Sequence, residues 1–338
     1  MSRIAVVGGG AWGTTLADLL VRKGEFVTLW AREPEVVESV NREHVNSVFL
    51  PGCALAAGLR ASGELAEVVD GAEVVVSSAP SHAVRAVMSR AAAAIAGRAR
   101  GAWPLVVSVS KGLEPERLET MSCVLAEVLP PATPVAVLSG PSFAQEVYQR
   151  QPTAVVAAAT DHAVAQRAQQ VFSGSYFRVY SHTDVLGVEL GGALKNVIAL
   201  AAGILEGLGL GYNTRAALIT RGLAEITRLG VTLGADPLTF AGLAGLGDLV
   251  LTATGALSRN RSLGVELGQG KPLDAALAGR KTVAEGVNTA RSAVALAERH
   301  GVELPISRQV AEILFQGKAP QQAVADLMER DLKAEQWR

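Results

Sequence analysis

Cysteine is nearly absent: Cys53 and Cys123 are the two thiols in 338 residues. Two cannot make a disulfide framework or a zinc site. The five histidines, His44, His82, His162, His182 and His300, are scattered without metal-ligand spacing, so no metal is expected. A surplus of either charge is also missing. Lys and Arg number 31 against 32 Asp and Glu, a net charge of -1, which leaves no bulk attraction to nucleic acid or to an anionic membrane. The longest apolar stretch, around residues 185–205, is interrupted by Glu189, Lys195 and Asn196, whereas a membrane span needs about 20 apolar residues. The N-terminus has no apolar signal region before its first strand-like run. These absences lead to the expectation of a soluble protein of the reducing, cytoplasmic compartment, with no membrane span and no nucleic-acid partner.

Hydrophobic residues make up 49% and charged residues 19%, which is enough apolar material for true cores and too much for a disordered chain. Up to about residue 183, short β-rich runs at 4–7, 26–30, 74–78, 105–108, 135–139, 153–158 and 177–180 alternate with helical stretches at 12–23, 81–96, 118–129 and 161–172. Several runs are apolar throughout, as in strands covered on both faces. The alternation predicts a parallel, doubly wound α/β sheet with any ligand at its carboxyl edge. Beyond residue 184 the strand pattern stops. Ala- and Leu-rich helical segments follow at 185–205, 214–229, 240–256, 261–267, 273–278, 288–300, 307–315 and 320–328, with Gly and Pro between them. The expected organisation is a dinucleotide-binding, Rossmann-type domain over 1–183 and an all-α substrate-binding domain over 184–338.

Gly8-Gly9-Gly10-Ala11-Trp12-Gly13 follows the first strand and opens a helix. Glycine at 8, 10 and 13 fits the dinucleotide fingerprint, in the context that gives it meaning. Gly8 permits the tight turn, Gly10 lets backbone approach a pyrophosphate, and Gly13 lets helix and strand pack closely. After the second strand comes Trp30-Ala31-Arg32-Glu33. Arg32 suits a ribose 2′-phosphate and favours NADP(H); the other reading, with Glu33 as the ribose acceptor, allows NAD(H).

Lys111 follows the strand at 105–108, and Ser139-Gly140-Pro141-Ser142-Phe143-Ala144 follows the next, so both lie where ligands bind in such sheets. Ser142 can cap a helix or contact a ligand. Lys195 and Asn196 sit in a helical segment that is apolar on nearly every face. Burial there lowers a lysine pKa toward the range of a general base, whereas a surface position would let the chain snorkel. Asp248 follows small residues. Ser258, Arg259 and Asn260 combine a cationic fork with amide and hydroxyl donors near a helix start, suited to a phosphate. Glu285 reads equally as a ribose acceptor or as a surface acid.

The segments GGGAWGTTLA, SVSKGLE, LSGPSFAQEV, ELGGALKNVIALAAGI, GLGDLVLTATGALSRNR and VAEGVNT together resemble the bacterial NAD(P)-dependent sn-glycerol-3-phosphate dehydrogenase family. The likeness runs from residue 8 to residue 289. It implies a cytoplasmic, usually dimeric enzyme that interconverts dihydroxyacetone phosphate and sn-glycerol 3-phosphate for phospholipid synthesis. By motif, the resemblance implies a cofactor site at Gly8, Gly10, Ala11, Trp12, Gly13, Arg32, Lys111, Ala144, Arg259, Val283 and Glu285. It implies substrate contacts from Lys111, Gly140, Ser142, Lys195, Asp248, Ser258, Arg259 and Asn260, with Lys195 as proton acceptor. Ala11 departs from the family pattern, where Ser or Thr is common. Two other readings stay open: a dehydrogenase of another hydroxy acid or sugar acid with the same layout, and a non-catalytic NADPH-binding regulator.

Overall fold

The computed structural model describes residues 1–97, 103–280, 284–332 and 334–335. The first half runs β1 (Arg3–Val7), α1 (Ala11–Arg22), β2 (Phe26–Trp30), α2 (Pro34–Glu43), β3 (Val45–Asn46), β4 (Leu50–Ala54), β5 (Arg60–Ser62), α3 (Leu65–Val69), β6 (Val74–Ser77) and a single 3-10 turn at Ser81–Ala83. It continues through α4 (Val84–Ala96), β7 (Leu105–Ser108), α5 (Met121–Val128), β8 (Val135–Ser139), α6 (Ala144–Tyr148), β9 (Thr153–Ala158), α7 (His162–Phe172) and β10 (Phe177–His182). Eight strands form one sheet in the order β10-β9-β8-β7-β6-β1-β2-β5, while β3 and β4 make a separate hairpin. The chain leaves β1 toward β2, then returns to β6 on its other side. That reversal opens a crevice beside the carboxyl end of β1, where doubly wound sheets take their ligands.

The sheet departs from the all-parallel expectation at one junction, since β8 and β9 are antiparallel. The helix between them, α6, has five residues. At 1.5 Å per residue it spans about 7.5 Å, less than half a typical strand length of about 17 Å. It cannot carry the chain back across the sheet, so β9 starts at the edge where β8 ends. The region between β2 and β6, for which sequence patterning supplies no element, contains α2, the hairpin, β5 and α3. Its strands are two to five residues long, too short for a clear alternation to develop.

The second half runs α8 (Val185–Gly207), α9 (Tyr212–Thr232), α10 (Pro237–Phe240), a π-helical turn (Leu243–Gly247), α11 (Asp248–Thr254), α12 (Arg259–Gly268), α13 (Leu273–Leu277), α14 (Glu285–Arg299), α15 (Pro305–Gln316) and α16 (Pro320–Met328). Among the described residues this half has no strand. α8 is its axis, buried from Gly187 to Leu205 and packed by α9, α11, α12, α14 and α15. It is long and apolar enough to cross a membrane, but 94% of its most apolar window is buried inside the protein. The Pro237–Thr254 stretch passes the same length and hydropathy test but is broken into three pieces.

Two close approaches set the site. α8 and α12 touch through glycines at four-residue spacing on both: a Cβ on Gly203 would lie 2.0 Å from the Arg261 carbonyl oxygen, and one on Gly264 would lie 2.2 Å from that of Leu200. This brings the start of α12 beside Lys195 and Asn196. The predicted helix at 240–256 is instead broken, because the π turn is folded back on α10. A Cβ on Gly245 would lie 2.1 Å from the Phe240 carbonyl oxygen. The interruption lies at Gly242, in extended backbone, and the π turn then runs directly into α11, whose first residue is the buried Asp248.

Candidate active site

The glycine turn has the geometry its sequence predicts. Gly8 has φ +130°, and a Cβ there would meet the Ser78 carbonyl at 2.7 Å. A Cβ on Gly13 would lie 2.0 Å from the Gly8 carbonyl oxygen, whereas one on Gly10 would meet nothing within 4 Å. Gly10 is also the N-cap of α1 and places no side-chain cap on it, so the open side of Gly10 adjoins the N–H groups of a 12-residue helix. This combination fits a pyrophosphate. Gly9 is a further requirement that the sequence motif does not single out: its Cβ would lie 2.6 Å from that of Ala31.

Around this turn stand the other candidates from the sheet. Ala11 opens α1, and Trp12 tilts against Phe177 at 6.4 Å with its buried indole N–H unpartnered. The carbonyl of Ala144 accepts from the Thr15 hydroxyl at 3.3 Å, tying α6 to α1. Arg32, at the end of β2, is exposed and donates to Glu33 at 2.8 and 3.1 Å. Val283 lies outside the described residues.

Two lysines converge on one acid. Lys195 is buried on α8 and donates to Asp248 Oδ1, and at 2.7 Å to the Thr252 hydroxyl. Lys111, from the loop after β7, donates to Asp248 Oδ2 at 2.6 Å and to the Gly140 carbonyl at 2.9 Å. Asp248 is 1% exposed. Burial pulls the Lys195 pKa down to about 7; Asp248 opposes that shift and the Lys111 cation reinforces it. Gly140 has φ +137°, and a Cβ there would press on Val155 at 2.9 Å, so only glycine presents this carbonyl easily. Ser142 does not cap α6, whose N-cap is Phe143. It donates to the same Gly140 carbonyl at 2.9 Å.

The start of α12 lies beside this cluster. The buried Ser258 hydroxyl caps the helix, accepting from Arg261 N at 3.2 Å. Arg259 is exposed. Asn260 is buried and largely committed: it donates to Asn196 Oδ1 at 2.9 Å and accepts from Gly286 N at 3.1 Å. Glu285 is neither free nor on the outer surface. Its carboxylate accepts from the backbone and hydroxyl of Ser81, at 3.2 and 2.6 Å, joining α14 to the loop after β6.

Sequence reasoning missed Thr252 and Ser81. Thr252 was legible as the residue four beyond Asp248 on one helix face, once the helix start was known. Ser81 carries no local signal, since its partner is 204 residues away.

Three comparisons bear on this arrangement. Residues 3–165 match the sequence model described as the NAD-dependent glycerol-3-phosphate dehydrogenase N-terminus, and residues 184–325 match that of the C-terminus. A glycerol-3-phosphate dehydrogenase [NAD(P)+] of Geobacter sulfurreducens is 56% identical over 337 residues, covering 99% of each chain. One from Geobacter sp. strain M21 is 55% identical over 335 residues, covering 98% of each. The crystal structure of glycerol-3-phosphate dehydrogenase from Coxiella burnetii superposes with a TM-score of 0.92 at 40% identity, covering 97% of this chain and 99% of that one.

Proposed function

The chain belongs to the NAD-dependent glycerol-3-phosphate dehydrogenase family, and from that premise we propose how its own residues carry out the reaction. It is an NAD(P)-dependent oxidoreductase that interconverts dihydroxyacetone phosphate and sn-glycerol 3-phosphate, a precursor for phospholipid synthesis. The observation that carries the site assignment is the buried Lys195–Asp248–Lys111 cluster.

In this reading Gly8, Gly10, Ala11, Trp12 and Gly13 hold the dinucleotide through the α1 N-terminus, with Lys111, Ala144, Arg259 and Glu285 around it. When bound, the nicotinamide supplies or accepts the hydride. Lys195 handles the proton: its neutral amine takes the C2 hydroxyl proton during oxidation, and its ammonium returns a proton during reduction. A pKa of about 7 suits both tasks near neutrality. Asp248 and Thr252 hold the Lys195 amine in place. Lys111 orients the substrate oxygens and keeps the cluster cationic enough for an anionic substrate.

The substrate phosphate is held by Arg259 and by the free N–H groups at the α12 start. Ser258 has a hydroxyl hydrogen to offer, Asn260 one remaining amide hydrogen, and Gly140 and Ser142 shape the adjoining wall. Arg32 favours NADP(H); its contact with Glu33 must open for it to meet a 2′-phosphate, and NAD(H) is the alternative. Residues 1–183 act as the cofactor domain and 184–338 as the substrate domain of a cytoplasmic homodimer that takes neither nucleic acid nor membrane.

Loss of NADPH absorbance on adding dihydroxyacetone phosphate tests the whole reading. No loss with either NADPH or NADH would overturn it.

A further inference from the structure

Glu189 is a buried carboxylate that the reaction does not use. It lies on α8, six residues before Lys195, which is about 9 Å along the helix axis. Its partners are in the other half of the chain: Oε1 accepts from Ser122 N at 2.8 Å, and Oε2 from the Ser122 hydroxyl. Ser122 is in the first turn of α5. That helix has no capping side chain of its own, because Thr120 at its N-cap makes no bond to the helix backbone, and its first turn has no acid. The orphan N–H of this turn is met from across the molecule.

The chain just before α5 is the loop that carries Lys111. Leu113 and Thr120 pair as an isolated bridge, and Glu114 N donates to the Glu119 carbonyl at 2.9 Å. Arg85 clamps the loop further, reaching Glu114 at 2.5 Å, Glu127 at 2.6 Å and Glu119 at 3.1 Å. Leu113 also packs into the apolar core of the helical half. Little slack remains between Ser122 and Lys111.

We propose that Glu189 is a positioning residue: by gripping Ser122 it fixes the Lys111 loop against α8, and so sets where Lys111 stands relative to Lys195 across Asp248. The inference rests on the roles given above to the two lysines. Lys195, Asp248 and Thr252 all belong to the helical half and stay together if the grip is lost; Lys111 is the member that withdraws. The charged groups facing Lys195 are Asp248, which raises its pKa, and Lys111, which lowers it. Withdrawal of Lys111 therefore moves the Lys195 pKa upward.

The test cuts the grip from both sides, with Glu189→Leu and Ser122→Ala, and compares Glu189→Gln, which keeps an acceptor for Ser122 N. Folding is checked by thermal unfolding, and kcat and both KM values are measured against pH. Glu189→Leu should lower kcat by about tenfold to a hundredfold, the scale of a small misplacement of a reacting group. The KM for NADPH should stay within about twofold, and the apparent pKa of kcat should move upward. Ser122→Ala should shift both in the same direction by less, and Glu189→Gln should recover most of kcat. A lower kcat with an unmoved pH profile would make Glu189 a fold-supporting residue only and overturn the proposal, as would unchanged kcat in both cutting variants. If Glu189→Leu does not fold, the Ser122→Ala profile decides alone. Full turnover in Lys195→Met would instead overturn the underlying reading, whatever Glu189 does.

Discussion

Lys111 and Lys195 take opposite oxygens of one buried carboxylate, Asp248, although one comes from the sheet half of the chain and the other from the helical half. Two ammonium groups on one acid leave an uncompensated positive charge when both are protonated. The buried member gives up its proton more easily, because burial penalises the charged form and its neighbour repels it. In the proposed mechanism this is what makes Lys195 the base near neutral pH, with the partly exposed Lys111 beside it.

The direction of pH dependence follows. Oxidation of sn-glycerol 3-phosphate needs neutral Lys195, so its kcat should rise with pH through about 7. Reduction of dihydroxyacetone phosphate needs the ammonium, so its kcat should fall with pH over the same range. Lys195→Met should lower turnover by at least ~10²-fold and abolish both limbs while NADPH still binds. Steady-state rates across pH in both directions check this, and near-normal turnover in the variant would remove Lys195 from the proton-transfer role.

Arg32→Ala should separate the cofactors. A charge-assisted contact to the 2′-phosphate contributes roughly 1.5–3 kcal/mol, or about ten- to hundredfold in the KM for NADPH. NADH, which lacks that phosphate, should be nearly unaffected. The two KM values measured side by side give the answer; equal losses would mean that Arg32 does not read the phosphate.

Arg259→Ala should discriminate between substrates. Dihydroxyacetone phosphate offers few handles besides its phosphate, and binding energy from that remote group can be used to orient the carbonyl. Removing the guanidinium should cost about 2–5 kcal/mol in kcat/KM for the phosphorylated substrate, the scale of truncating one partner of a charge pair. Unphosphorylated dihydroxyacetone should lose far less. Both are measured at saturating NADPH, since the proposed site also places Arg259 beside the cofactor; an equal factor for the two would rule out a phosphate contact.

Gly13→Ala and Gly10→Ala should fail in different ways. The methyl at 13 would collide with the Gly8 carbonyl, and overpacking of this kind costs about 1–3 kcal/mol, visible as a lower Tm. The methyl at 10 points into open space, so Tm should hold while NADPH binding weakens. A Gly10→Ala protein with unchanged NADPH affinity would show that the dinucleotide does not approach there.

Much of this molecule was determined locally. The apolar runs of β1, β6 and β7 and the glycines at 8, 10 and 13 specify a buried parallel sheet with an open helix start, because each requirement is met within a few residues. Lys195 stood out for a similar reason: a lysine in an apolar helix must be paired or neutral. Other features arose from contacts distant in sequence. The antiparallel turn into β9 follows from a helix too short to cross the sheet, and the π turn leading into Asp248 holds a glycine pressed on the Phe240 carbonyl. Ser81 meets Glu285 and Ser122 meets Glu189 only after the two halves pack, and Asn260 bridges Asn196 to Gly286 only once α8, α12 and α14 come together within the helical half. Sequence patterning reports the periodicity of one element at a time. Which polar groups complete one another across elements is decided by close packing and by the cost of leaving a buried donor or acceptor alone.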